Sequence, residues 1–167
     1  MMPPPRRAQA EDAPADIPLA RQLLTQADRH FASAAIPGVD LDSRFGMLCD
    51  AARKAADAIL RAGGRRVTQG ISHHIAFFEE ANRLLPDTDS KLVTRVEGAR
   101  NIRNGMEHQA REVTQTEVEE LTEAAAHFIA AGEHFLTGKC RRSSDRCTAY
   151  TAKRTVSSNT EAGAVCR

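Results

Sequence analysis

The stretch that decides the fold reads Phe45-Gly46-Met47-Leu48-Cys49-Asp50-Ala51-Ala52-Arg53-Lys54-Ala55-Ala56-Asp57-Ala58-Ile59-Leu60, followed by Arg61-Ala62-Gly63-Gly64. Phe45, Leu48, Cys49, Ala52, Ala56, Ile59 and Leu60 recur at steps that line one face of a helix. Asp40 or Asp42 can cap its start, and Gly63-Gly64 can end it. The many alanines predict that a neighbouring helix approaches closely, while Arg53, Lys54, Asp57 and Arg61 stay on solvent-facing or groove-facing surfaces. Cys49 reads as a small buried hydrophobe.

Working outward, similar stripes occur on both sides. Before it, from Asp16 or Ile17, Leu19, Leu23, Ala27, Phe31 and Ala34 share a face widened by Leu24, and Ile36-Pro37-Gly38 ends that helix. After it, Ser72 can cap a helix carrying Ile75, Phe78, Ala81, Asn82 and Leu85 and stopped by Pro86. A turn at Asp87, Asp89 and Ser90 leads to a fourth helix bearing Leu92, Val93, Val96, Ala99 and Ile102. Thr114-Gln115-Thr116-Glu117 and Thr116-Glu117-Val118-Glu119 are alternative capping boxes for a last helix with Val118, Leu121, Ala125, Phe128, Ile129, Gly132, Phe135 and Leu136, which Gly138 can stop. The expectation is an all-α, up-and-down bundle of about five helices.

Composition agrees. One Tyr, no Trp and six Phe in 167 residues leave too few aromatics to favour a sheet, whereas Ala and Leu recur throughout. Residues 1–16, with Pro3, Pro4, Pro5 and Pro14, read as a flexible leader, residues 17–138 as the helical domain, and residues 139–167 as a disordered tail. No apolar run approaches the roughly 20 residues that span a bilayer, and Met-Met-Pro-Pro-Pro-Arg-Arg does not start a secretory signal. The expectation is a cytoplasmic chain without a membrane partner. The formal net charge of +1 hides an asymmetry, because residues 139–167 sum to +5 and the remainder to −4. Such a basic end can attract RNA without specificity, in a salt-sensitive way.

The stretch richest in chemistry is Val96-Glu97-Gly98-Ala99-Arg100-Asn101-Ile102-Arg103-Asn104-Gly105-Met106-Glu107-His108. Arg103 can engage a phosphate through its planar fork, Asn104 can orient an oxygen or an imidazole, and His108 can exchange a proton near neutral pH. Arg100, one turn earlier, can extend a phosphate-binding strip. Those groups meet the needs of metal-independent RNA cleavage, in which a base takes the ribose 2'-hydroxyl proton and the oxygen attacks the neighbouring phosphate. Five residues turn a helix by about 140° between positions 103 and 108. Either a break at Gly105 turns His108 back, or a symmetric dimer brings groups from two subunits into one groove.

The stretch resembles the Arg-Asn-three residues-His motif of HEPN domains, the higher eukaryote and prokaryote nucleotide-binding helical domains. The similarity extends over about residues 17–137, through the early amphipathic helix, Ala51-Ala52-Arg53-Lys54-Ala55-Ala56, Ser72-His73-His74 and the long last helix. It implies a dimerising all-α bundle in which motifs from two subunits face a shared cleft and cut RNA without a metal or cofactor. Arg103 then binds or polarises phosphate, Asn104 positions the motif, and His108 transfers a proton as acid or base. Family resemblance also implies nucleotide binding without catalysis, or partnership with a nucleotidyltransferase or antitoxin in toxin and defence systems.

The same residues have plainer readings. Arg103 can make an ordinary surface or interhelical ion pair, His108 can be a solvated turn residue or helix cap, and Asn104 can satisfy a backbone group. A noncatalytic nucleotide-binding or protein-interaction bundle would carry the same stripes and charged faces. A DNA-binding regulator lacks a recognition helix with a compact basic surface. His73 and His74 diverge on a helix, His30 adjoins Phe31 as a structural residue, and His127 and His134, near Glu123 and Glu133, do not complete a four-ligand set. Cys140 and Cys147 have six residues between them and Cys166 lies far beyond, so no zinc spacing arises.

Overall fold

Two aspartates start the first two helices of the computed structural model, which describes residues 9–68, 73–85 and 90–157 and gives side-chain surroundings for all of these except 73, 74, 90 and 140–157. Asp16 accepts the Leu19 amide at 2.9 Å and opens α1 (Ile17–Ala34). Asp40 accepts the Ser43 amide at 2.8 Å and opens α2 (Leu41–Gly63). Of the two candidate caps, Asp40 therefore does the capping, and Asp42 accepts the Val113 amide at 3.3 Å, tying the approach to the last helix onto the start of α2. The remaining helices are α3 (His73–Arg83), α4 (Ser90–Gln109) and α5 (Gln115–Ser157), so the described residues form an up-and-down bundle of five helices. The expected cap at Ser72 and the stop at Pro86 lie outside the described residues.

The chain forms two compact units, Met1–Leu136 and Thr137–Arg167. In the first unit, Phe45, Phe128, Ile59 and Leu60 are the largest fully buried side chains. Ala51, Ala52, Ala55, Ala56, Ala58 and Ala62 of α2 are buried, as are Ala20 and Ala27 of α1, so the small side chains let these two helices pack closely. Phe78 of α3 meets Phe128 of α5 with ring centroids 5.6 Å apart. A Cβ on Gly132 would come within 2.9 Å of Leu24 and 3.6 Å of Ile59, so the missing side chain sets how near α5 lies to α1 and α2.

Two boundaries differ from the sequence expectation. Part of the leader is structured: β1 (Ala10–Asp12) pairs antiparallel with β2 (Arg65–Val67), placing Glu11 opposite Arg66 and Asp12 opposite Arg65. Opposite charges directly across the ladder supply side-chain pairing that a Pro-rich composition conceals. Gly64, at φ +68°, turns the chain out of α2, and its carbonyl accepts the Ala13 amide at 2.9 Å. At the other end α5 does not stop at Gly138 but continues to Ser157, so residues 139–157, expected as disordered tail, are helical. That stretch contains neither Pro nor Gly, the residues most disruptive of a helical ladder. Residues 1–8 of the leader and 158–167 of the tail lie outside the described residues. No helix among the described residues is long and apolar enough to cross a membrane.

Candidate functional site

The site is built on α4. Leu92, Val93, Val96 and Ala99 are buried, and Ile102 and Met106 pack against the core, which fixes the rotation of the helix. Arg100, Asn104 and His108 follow one another at steps of four, and all three are exposed. Arg103 falls within about 20° of Leu92 and Val96 around the helix, yet its side chain is 41% exposed. Its guanidinium reaches Asp50 of α2 at 3.4 Å and Glu107, one turn along α4, at 3.3 Å. Burial works against the Arg103 charge, yet the field of Asp50 and the hydrogen bonds to Glu107 and Asp50 outweigh it and hold its proton above the ordinary arginine range.

The break imagined at Gly105 does not occur, because α4 runs unbroken to Gln109. Within one chain Arg103 and His108 therefore remain about 140° apart around the helix axis. Gly105 has a different use. The chain reverses at Ala110, whose φ is +50°, and the Arg111 amide returns to the Gly105 carbonyl at 3.3 Å. A Cβ at position 105 would lie 3.1 Å from the Arg111 side chain, so the small residue gives the returning loop room. Arg111 then pairs with Glu117, while Val113 is buried.

Cys49 precedes Asp50 and sits half-buried against the core. Burial pushes its thiol up to about 12, with Arg103 pulling it down and Asp50 pushing it up. At neutral pH the sulfur is protonated, which fits a packing residue rather than a nucleophile. His127 is half-buried, its ring edge-on to Phe128 at 6.3 Å, and His134 is exposed. Among the described residues no three His, Cys, Asp or Glu side chains converge as metal ligands.

Of the residues singled out from the sequence, the structure places Arg100, Asn104 and His108 on one exposed stripe, and Arg103 about 100° around the helix from Asn104. It also adds the two carboxylates that clamp the guanidinium, Glu107 from within the motif stretch and Asp50 from α2. Glu107 was legible as an i,i+4 partner of Arg103. Asp50 lies 53 residues from Arg103, and no local pattern joins them.

The described residues define an all-α bundle of five helices in which α4 carries an exposed basic and polar stripe and, apart from it, an arginine held by two carboxylates. Compared with protein-family models, with curated proteins and with solved structures, the chain matches none of them.

Proposed function

We propose that the protein is a HEPN-like ribonuclease that works as a homodimer and cleaves RNA in the cytoplasm without a metal ion. The observation that carries this reading is Arg103, positioned by Asp50 and Glu107 yet 41% exposed, on the same helix as the exposed stripe of Arg100, Asn104 and His108. A phosphate displacing Glu107, whose side chain is 55% exposed, meets a guanidinium already oriented by Asp50. In the proposed reaction one group removes the proton from the ribose 2'-hydroxyl and the oxygen bonds to phosphorus. The bond to the 5'-oxygen breaks, and that oxygen takes a proton from an acid. His108 serves one of these transfers, Arg103 stabilises charge on the phosphate oxygens, Asn104 orients the imidazole, and Arg100 extends the contact to the next phosphate.

Since Arg103 and His108 of one chain diverge around α4, the reading assigns the complementary groups to a second copy across a two-fold axis. A nucleotidyltransferase or antitoxin is the partner class that the family resemblance supplies for a defence role. The competing reading is a noncatalytic nucleotide-binding or protein-interaction bundle. It is favoured by the pairing of Arg103 with two carboxylates, which suffices to explain the arginine structurally.

Purified protein incubated with varied RNAs, with and without chelator, decides between them. The ribonuclease reading expects chelator-insensitive cleavage that Arg103→Ala and His108→Ala each lower by at least about 100-fold, the scale of a general acid–base contribution, with helicity retained. Undiminished cleavage by either folded variant rejects the mechanism, and RNA left intact by the wild type favours the bundle without catalysis.

A further inference from the structure

A cleft of about 540 Å³ opens beside β2, bounded by α2, α3 and β1, and four arginines line it: Arg53, Arg61, Arg65 and Arg66. Its volume lies in the range of clefts that enclose small ligands or single nucleotide units. The two carboxylates in the lining are Glu11 and Asp57, so the wall carries more positive than negative charge within a first unit that is acidic as a whole. The arginines are not equivalent. Arg65 is committed to structure, bonded to the buried Glu80 at 2.7 Å and to Asp12 across the ladder. Arg61 contacts Asp57 at 3.2 Å along one helix, Arg66 contacts the half-exposed Glu11, and Arg53 only grazes Asp50 at 4.0 Å. Exposed pairs of this kind contribute about 0–1 kcal/mol, so a phosphate can compete for these three guanidinium groups. Leu60, Val67 and the ring of Phe77 supply apolar wall between the charges.

The cleft also adjoins the α4 site. Asp50, which holds Arg103 at 3.4 Å, is the same carboxylate that faces Arg53 at 4.0 Å. Positions 50, 53, 57 and 61 fall within about 80° of one another around α2 and span roughly 16 Å along its axis. One helix face thus runs from the Arg103 clamp to the cleft.

We propose that the cleft is a subsite for the backbone of single-stranded RNA, with phosphates on Arg53, Arg61 and Arg66 and one unstacked base against Phe77, a few nucleotides from Arg103. The assignment rests on the ribonuclease reading for the identity of the polymer, but its test does not depend on cleavage. Charged grooves interleaved with an aromatic ring hold single strands through phosphate contacts and stacking, whereas a duplex keeps its bases away from such a wall.

The experiment measures anisotropy of a short labelled RNA with the full-length chain, single-stranded or annealed to its complement, across a salt series. Arg53→Ala/Arg66→Ala is expected to weaken single-strand binding at least about tenfold and to lower the slope of log affinity against log salt by about 1.4, as two lost phosphate contacts require. Arg66→Lys alone, which keeps a cation opposite Glu11, is expected to retain most of both, and Phe77→Leu to weaken binding by about fivefold to 100-fold at unchanged slope. Wild-type affinity and slope in the folded double variant, preference for duplex, or absence of RNA binding by the wild type overturns the subsite. If the double variant loses binding while Arg103→Ala still cleaves, the subsite stands and the α4 mechanism falls. If Arg103→Ala abolishes cleavage while the double variant binds fully, the reverse holds.

Discussion

At the scale of single residues, the environment of Cys49 makes the sharpest statement. Its thiol is shielded by the core, and burial pushes its titration up to about 12. A raised folded value means that the native state keeps its proton where the unfolded chain has lost it. The associated stability is therefore present below the unfolded value, near 8.5, and is lost as pH climbs towards the folded one. In a chain whose Cys140, Cys147 and Cys166 are replaced by Ser, alkylation of Cys49 should be slow at pH 8 and reach free-thiol rates only on unfolding. Rapid labelling of the folded protein at that pH contradicts the buried assignment. The same residue shows what a sequence can convey. Its place on an apolar stripe was readable from periodicity, but Arg103 beside it was not, since the two stand 54 positions apart and only the packing of α4 on α2 joins them.

Among the elements, α5 offers a test of local capping. Of the two overlapping capping boxes written in the sequence, the structure uses Thr114 and Glu117: the Thr114 hydroxyl accepts the Glu117 amide at 3.3 Å, and the Glu117 carboxylate accepts the Thr114 amide at 2.9 Å. The choice is made by what precedes it, because Val113 is buried and bonded to Asp42, and Arg111 reaches Glu117. Thr114→Ala should cost about 1 kcal/mol in urea unfolding, and Thr116→Ala much less. The Glu117 carboxyl is held below its usual range, first by the Thr114 amide and further by the Thr114 hydroxyl and Arg111. A depressed folded value stabilises above the unfolded value near 4.3, and that part is lost as pH falls through the folded one. Glu117→Gln should therefore narrow its stability deficit as pH falls below about 4.3, and a deficit independent of pH would show that the carboxylate is not engaged. The helix start was legible to within one box. Its continuation past Gly138 was not, because a single glycine lowers helix propensity by only about 1 kcal/mol and does not forbid the ladder.

For the first unit as a whole, the decisive contact is Gly132 of α5 against Leu24 of α1 and Ile59 of α2. Three helices meet at a position where a side chain would stand 2.9 Å from a Leu24 methyl. Gly132→Val should overpack that junction and destabilise cooperative unfolding by about 1–3 kcal/mol, although Val is the better helix former of the two. Partial recovery in a Leu24→Ala background would locate the strain at that contact, while full stability of the single variant would mean that the helices lie farther apart.

The sequence by itself determined the features that repeat within a few residues: the five helical stripes, a cap for α2 narrowed to Asp40 or Asp42, the stop at Gly63-Gly64, and the cluster of cation, amide and imidazole on α4. Each follows from backbone and side-chain geometry spanning a turn or two, so neighbouring letters suffice. Only the tertiary structure decided the pairing of Glu11 and Asp12 with Arg66 and Arg65, the hold of Asp50 on Arg103, and the separation of Arg103 from His108 around an unbroken helix. The first two join groups more than fifty residues apart, whose meeting depends on how the bundle closes. The third depends on the loop from Ala110 to Val113, where a return over Gly105 leaves α4 intact and the chain turns only after His108.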